Sequence, residues 1–201
     1  MKNKRITYSI ITTSVRFFMK YFWHYEIIHK ERIKNITNCI LASNHISWFD
    51  PPFIGSIMPF EINYLAKSEL FKNKIFGNFL QFVNAIPIKR GKVDRTAINR
   101  VEEKLAAGQS ILLFPEGTRK SNKVKPGIGK IAIQTGKDIV PIYMKNSNKF
   151  RKCFLGKDRL KIVIGEKIKK EDYSNLDDSK NNYRYLANFI MKKIKELENE
   201  C

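Results

Sequence analysis

Histidine and cysteine are scarce in this chain of 201 residues, which has three of each: His24, His29 and His45, and Cys39, Cys153 and Cys201. The cysteines are odd in number and widely spaced, with no CxxC pair and no Cys/His cluster. That argues against a disulfide scaffold and against a structural zinc site, and it suits a reducing compartment inside the cell. Only His45 stands in a credible site, so no histidine-built metal centre is expected. Cys153 lies in a basic stretch that would lower its pKa, but a buried, inert thiol is the simpler reading. Acidic residues are also few: 19 Asp plus Glu face 38 Lys plus Arg, a formal net charge of +19. Such an excess speaks of anionic partners: nucleic acid, an anionic membrane surface, an acidic carrier or a phosphorylated substrate. There is no GxSxG elbow, no GxxxxGK[ST] phosphate loop and no GxGxxG signature. No charge-free apolar run approaches the roughly 20 residues of a spanning helix. No small-residue cleavage site follows the first apolar stretch, so no signal peptide is expected.

What is present can build a core. Hydrophobic residues make up 43% of the chain and aromatic residues 12%, which excludes disorder and suits one compact domain. From Ile6 to Ile28 the residues are largely apolar, interrupted by Arg16 and Lys20. At about 100° per residue, Arg5, Ser9, Thr12, Thr13, Arg16 and Lys20 fall on a narrow polar side. Ile6, Ile10, Ile11, Val15, Phe17, Phe18, Tyr21, Phe22 and Tyr25 cover the wider remainder. Such a helix either lies in a bilayer interface or packs on the domain's own core. Beyond it the chain alternates. Strands are expected at 39–42, 62–66, 85–88, 111–114, 139–144 and 160–164, and helices at 68–82, 94–107 and 127–135. A last amphipathic helix carries Tyr183, Leu186, Ala187, Ile190, Ile194 and Leu197. The expected architecture is a single α/β domain over residues 35–201, with a largely parallel or mixed central sheet flanked by helices. Residues 1–34 form an N-terminal amphipathic helical segment.

Two constellations carry chemistry. SNHISWFDPP, Ser43 to Pro52, follows an apolar run and sits where a strand ends. Asp50 before Pro51 reads as a helix N-cap, and His45 falls in the connecting turn. A turn can fold His45 back onto Asp50. The carboxylate would then fix the imidazole tautomer and leave the other nitrogen to take a proton. The bland alternative is that Asp50 only caps and His45 only packs. ILLFPEGTRK, Ile111 to Lys120, runs a buried strand into a turn. There Gly117 allows close backbone approach, Thr118 offers a hydroxyl and Arg119 can grip a phosphate, unless the stretch is merely a solvated charged loop. Lys67 and the group Lys89, Arg90 and Lys92 also stand at strand ends. Together these cations and the His–Asp pair suggest one anionic-substrate site.

These residues resemble the glycerophospholipid acyltransferase family, which includes 1-acyl-glycerol-3-phosphate acyltransferases. His45 and Asp50 meet its HxxxxD signature within NHISWFD, and Phe114 to Arg119 match FPEGTR letter for letter. IVPIYM around Pro141, Lys125 with Gly127, and AKSEL with Lys67 are similar to further family blocks. The match covers roughly residues 38 to 145. One block departs: where the family commonly reads like GAIFIDR, this chain has NAIPIKR, keeping Arg90 but changing Asn84, Pro87 and Lys89.

The resemblance implies that His45, oriented by Asp50, deprotonates the free hydroxyl of a lysophospholipid. That hydroxyl would attack the thioester of acyl-CoA or acyl-carrier protein, without an acyl-enzyme, a cofactor or a metal. Lys67, Arg90 and Arg119 would bind the acceptor phosphate, Gly117 and Thr118 would shape that contact, and Glu116 would orient Arg119 or touch the glycerol. It also tilts the N-terminal helix toward the bilayer, with the protein peripheral on the cytoplasmic face, its charge drawn to anionic lipid and acyl-carrier protein. Nucleic acid is then not an expected partner. The acceptor could be another lysophospholipid or glycerol 3-phosphate. A rival of another class is a noncatalytic basic protein that binds membrane or nucleic acid.

Overall fold

The computed structural model describes residues 2–34, 36–89, 91, 94–119, 121 and 123–201. Seven strands form one sheet: β1 (Glu26–Ile28), β2 (Ile40–Ser43), β3 (Ile62–Lys67), β4 (Ala85–Ile88), β5 (Ser110–Leu113), β6 (Ile139–Lys145) and β7 (Lys161–Ile164). The order across the sheet is β1-β7-β6-β2-β5-β3-β4, and only the β6–β7 pair is antiparallel. The six apolar runs expected as strands are strands, to within one residue at their ends. The central strands are apolar apart from Ser43, Ser110 and Lys145 at their ends, because both of their faces are covered. Ile40, Ala42, Ile111 and Leu113 face one layer, while Leu41 and Leu112 face the other. The first layer takes α4 (Arg95–Ala106), α5 (Gly127–Thr135) and α7 (Lys180–Glu196), and the second takes α1 (Lys2–Phe18) and α2 (Asp50–Ile57). Helix α3 (Lys74–Phe82) covers the β3–β4 edge, with Leu80 against Ala66 and Ala85. The stretch expected as one helix over 68–82 divides into a 3₁₀ turn at Ser68–Phe71 and α3. Asn73 starts the second piece, its side chain accepting from Phe76 N at 3.0 Å.

The N-terminal segment does more than the helical wheel implies. Helix α1 opens into a π-turn over Met19–Trp23 and stops at His24, which takes a left-handed φ of 46°. Residues 26–28 then add β1 to the sheet, parallel to β7, with Glu26 opposite Lys161. The apolar residues of α1 and the π-turn split between two arcs. Tyr8 and Met19 are buried, Val15 packs beside them, and Tyr8 Oη accepts from Ile62 N at 3.2 Å. Ile6, Ile10, Phe17, Phe18 and Tyr21 stay more than half exposed. Arg16, from the polar side, donates to the Ser56 carbonyl at the end of α2, at 2.6 and 3.0 Å. The helix therefore packs on the core and still holds an apolar arc in solvent. Among the described residues no helix is long and apolar enough to cross a membrane.

Asp50 is not the N-cap expected of it. Phe49 takes the cap position, and Asp50 is the first helical residue, its carboxylate turned back toward the preceding loop. A short helix, α6 (Phe150–Phe154), lies between β6 and β7 where none was expected.

Candidate active site

Strand β2 lies between β5 and β6, so the chain ending at β5 must pass over β2 to begin β6. Connections leaving opposite sides of one strand open a crevice at its carboxyl end, where α/β sheets bind ligands. The loops after β2, β5 and β6 meet in that crevice.

From the first loop, His45 is almost buried, and its Nδ1 lies 2.9 Å from Asp50 Oδ2. With a carboxylate as partner, Nδ1 carries the hydrogen and Nε2 is left with its lone pair. The same carboxylate oxygen accepts from the backbone N–H groups of Ile46 and Ser47, both at 2.8 Å. Its other oxygen accepts from Ser147 Oγ at 2.6 Å, in the loop after β6. Asp50 is fully buried, yet four donors converge on it, which is what a buried carboxylate requires. The imidazole also stacks on the Phe114 ring, centroids 4.0 Å apart, so its plane is fixed from two sides.

From the second loop, Glu116 accepts the backbone N–H of His45 at 2.9 Å, tying the FPEGTR turn to the histidine loop. Burial pushes its carboxyl above the ordinary range, the His45 N–H opposes that shift, and Asp50 adds to it. Glu116 thus braces His45 through its backbone. Gly117 takes a φ of 67°, and Lys125 packs so closely that a Cβ there would lie 2.9 Å from its Cδ. Thr118 follows it in a half-buried turn. The Arg119 guanidinium lies 3.4 Å from the centroid of the exposed Trp48 ring, which joins the two loops a second time. Lys67 ends β3 at the same sheet edge, exposed and 3.5 Å from Glu69. Arg90 lies outside the described residues.

Sequence reasoning did not select Asn44, Ser47, Trp48 or Ser147. Asn44 is buried; its amide donates to the Met144 carbonyl at 2.9 Å and accepts from the Met144 N–H at 2.7 Å. A side chain thereby extends the β2–β6 ladder past Ser43 and sets where the histidine loop departs. Asn44, Ser47 and Trp48 sat in the quoted histidine block without being singled out, and neither Asn44 nor Ser147 carries a local signal for contacts across 100 and 97 positions. Cys153 is buried and its thiol is pushed up by burial, in line with an inert group.

A family model described as Acyltransferase matches residues 24–145, which span β1 to β6. The chain belongs to this acyltransferase family. It is 32% identical over 178 residues to the 1-acyl-sn-glycerol-3-phosphate acyltransferase of Bacillus subtilis, covering 87% of this chain and 88% of that one. It is 30% identical over 165 residues to the enzyme of the same name from Streptococcus pneumoniae, covering 81% of this chain and 61% of the other. The crystal structure of the 1-acyl-sn-glycerophosphate acyltransferase from Thermotoga maritima superposes with a TM-score of 0.71 at 22% identity, over 98% of this chain and 82% of that one. The acyltransferase described here therefore has that fold, and its family places it among enzymes rather than noncatalytic basic proteins.

Proposed function

We propose that the enzyme moves a fatty acyl group from an acyl thioester to the free hydroxyl of 1-acyl-sn-glycerol 3-phosphate, forming phosphatidic acid. The observation that carries this is the His45–Asp50 pair at 2.9 Å, braced by Glu116 from the FPEGTR turn. His45 Nε2 takes the hydroxyl proton as the oxygen forms a bond to the thioester carbonyl carbon. The tetrahedral intermediate then breaks its C–S bond, and the thiolate leaves with the proton held by His45. Thioester energy drives transfer, so the step uses no resident cofactor or metal.

Arg119, held over Trp48, is the cation for the acceptor phosphate, with Gly117 and Thr118 shaping the turn beneath it and Lys67 and Arg90 adding charge at the same edge. An apolar cleft of about 320 Å³, lined by Val15, Phe18, Phe22, Trp23, Phe49 and Phe53 among others, opens beside the histidine loop and suits an acyl chain. The exposed arc of α1 lies on the bilayer that holds the acceptor, on the cytoplasmic face where thioester donors are made. A net charge of +19 draws the enzyme to anionic lipid, and equally to coenzyme A phosphates or an acidic carrier protein.

The test is transfer of radiolabelled palmitoyl groups from coenzyme A and from carrier protein onto 1-acyl-glycerol 3-phosphate in detergent micelles. Wild type is expected to form phosphatidic acid, and His45→Ala to lose activity by about 10³-fold. Full activity in His45→Ala would overturn the mechanism. Product only with another lysophospholipid or with glycerol 3-phosphate would overturn the acceptor.

A further inference from the structure

The loop that hands Ser147 to Asp50 reaches α6 three residues later. Phe150, Phe154 and Leu155 stand 44%, 52% and 64% exposed, while Cys153 between them is buried and pins the turn to the core. Phe150 and Phe154 stack on each other at 5.9 Å and on Phe22 at 6.4 and 5.7 Å. Phe22 stacks on Phe18 of α1 at 5.5 Å. The apolar arc of α1 therefore runs without a break onto α6. On its other side Phe150 meets Trp23 at 4.9 Å, and Trp23 meets Phe49, the neighbour of Asp50, at 5.2 Å. Contiguous exposed rings of this extent mark an interaction surface.

Charge selects the partner. From Lys145 to Lys161 there are seven basic residues and one acidic, Asp158, which pairs with Lys149 at 3.7 Å. Arg151 and Lys152 project from α6 itself, beside its aromatic residues, and both are exposed. A second copy of the chain would bring the same excess of positive charge to the contact and be repelled. Aromatic side chains flanked by cations fit the interface of an anionic bilayer.

We infer that α6 is a second bilayer contact, separate from α1 in sequence and joined to it by Phe22. Phe150, Phe154 and Leu155 enter the boundary between headgroups and acyl chains, and Arg151 and Lys152 meet anionic headgroups. The inference rests on the reading that the enzyme works at a bilayer, with the α1 arc as the other contact. Two contacts on either side of the apolar cleft fix how the protein tilts, so that the active-site crevice faces the lipid.

The experiment uses the full chain with Cys201→Ser, in which the remaining cysteines, Cys39 and Cys153, are buried. Leu155→Cys and Ile10→Cys are each labelled with an environment-sensitive fluorophore and mixed with phosphatidylglycerol–phosphatidylcholine vesicles. Both probes are expected to shift to the blue. A shift at position 10 without one at 155 overturns the α6 contact and spares the bilayer reading; no shift at either defeats both. A shift at 155 that grows with protein concentration in the absence of vesicles means that a second copy covers this face, and overturns the inference. In parallel, combined Arg151→Glu and Lys152→Glu is expected to weaken partition onto the anionic vesicles by about 10-fold or more and to leave partition onto pure phosphatidylcholine unchanged. Equal loss on both vesicle types overturns the role of charge.

Discussion

Ser147 matters through a single hydrogen bond. Its hydroxyl is the donor to Asp50 Oδ1, in a pocket where neither residue meets water. Removing the donor leaves a buried carboxylate oxygen short of a partner, which costs about 1–3 kcal/mol. If the transition state feels about half of that through the looser hold on His45, Ser147→Ala lowers kcat about 2- to 13-fold. KM for the acceptor is expected to hold, because no substrate contact is lost, and Ser147→Thr, which keeps the hydroxyl, restores most of the rate. Steady-state kinetics with the three proteins check this. At this scale His45, Asp50 and the FPEGTR turn were legible because each lies beside its partners in a short motif. Ser147 and Asn44 were not, because their partners come from another strand's end and a lone serine or asparagine has many uses. Even Asp50 was read only in part. Its place before proline suggested a cap, but the two N–H groups of its own turn compete for the carboxylate and win.

At the scale of elements, legibility followed length and periodicity. Strands β2 and β5, buried on both faces, show as the apolar runs 39–42 and 111–114, each offset by one residue from its strand. Three residues at β1 and five at α6 are too few to show a period, and both are held by tertiary contacts instead. The α5–α7 contact depends on a residue with no side chain. Gly129 packs so tightly under Tyr183 that a Cβ there would fall 2.1 Å from its carbonyl oxygen. Gly129→Ala is therefore expected to force the two helices apart and to destabilise the fold by about 1–3 kcal/mol. A urea titration would show a lower midpoint with an unchanged slope. Gly55→Ala is the control, since its Cβ would meet neighbours no nearer than 3.5 Å.

For the whole molecule, the N-terminal segment is part of the fold as well as a surface. It places Met19 and Trp23 in the core, gives β1 to the sheet and ties Tyr8 to β3. Deleting residues 2–30 would strip β7 of its outer neighbour, β1, and open the core around Met19. The expected result is loss of a cooperative thermal transition, so such a truncation cannot isolate membrane binding. Combined Ile10→Ser and Phe17→Ser, confined to the exposed arc, should keep the transition close to wild type while reducing co-sedimentation with anionic vesicles. Thermal melts and vesicle sedimentation on the same samples separate these outcomes. The charge excess was legible from composition alone, but the division of α1 into a buried arc and an exposed one was not, because a helical wheel does not say what packs against it.

The sheet's outer edge also sets an order of events in time. The first strand synthesised, β1, has as its neighbour the last, β7, with Glu26 opposite Lys161. Farther along, His29 reaches Glu200 at 2.7 Å. On a chain emerging from the ribosome β3 can pair with β4 at once, whereas β2 waits for β5 and then β6. β1 must wait through all of them with an apolar helix attached to it. Until β7 arrives, β1 has no strand beside it, and the exposed arc of α1 can meet a surface before the sheet is closed.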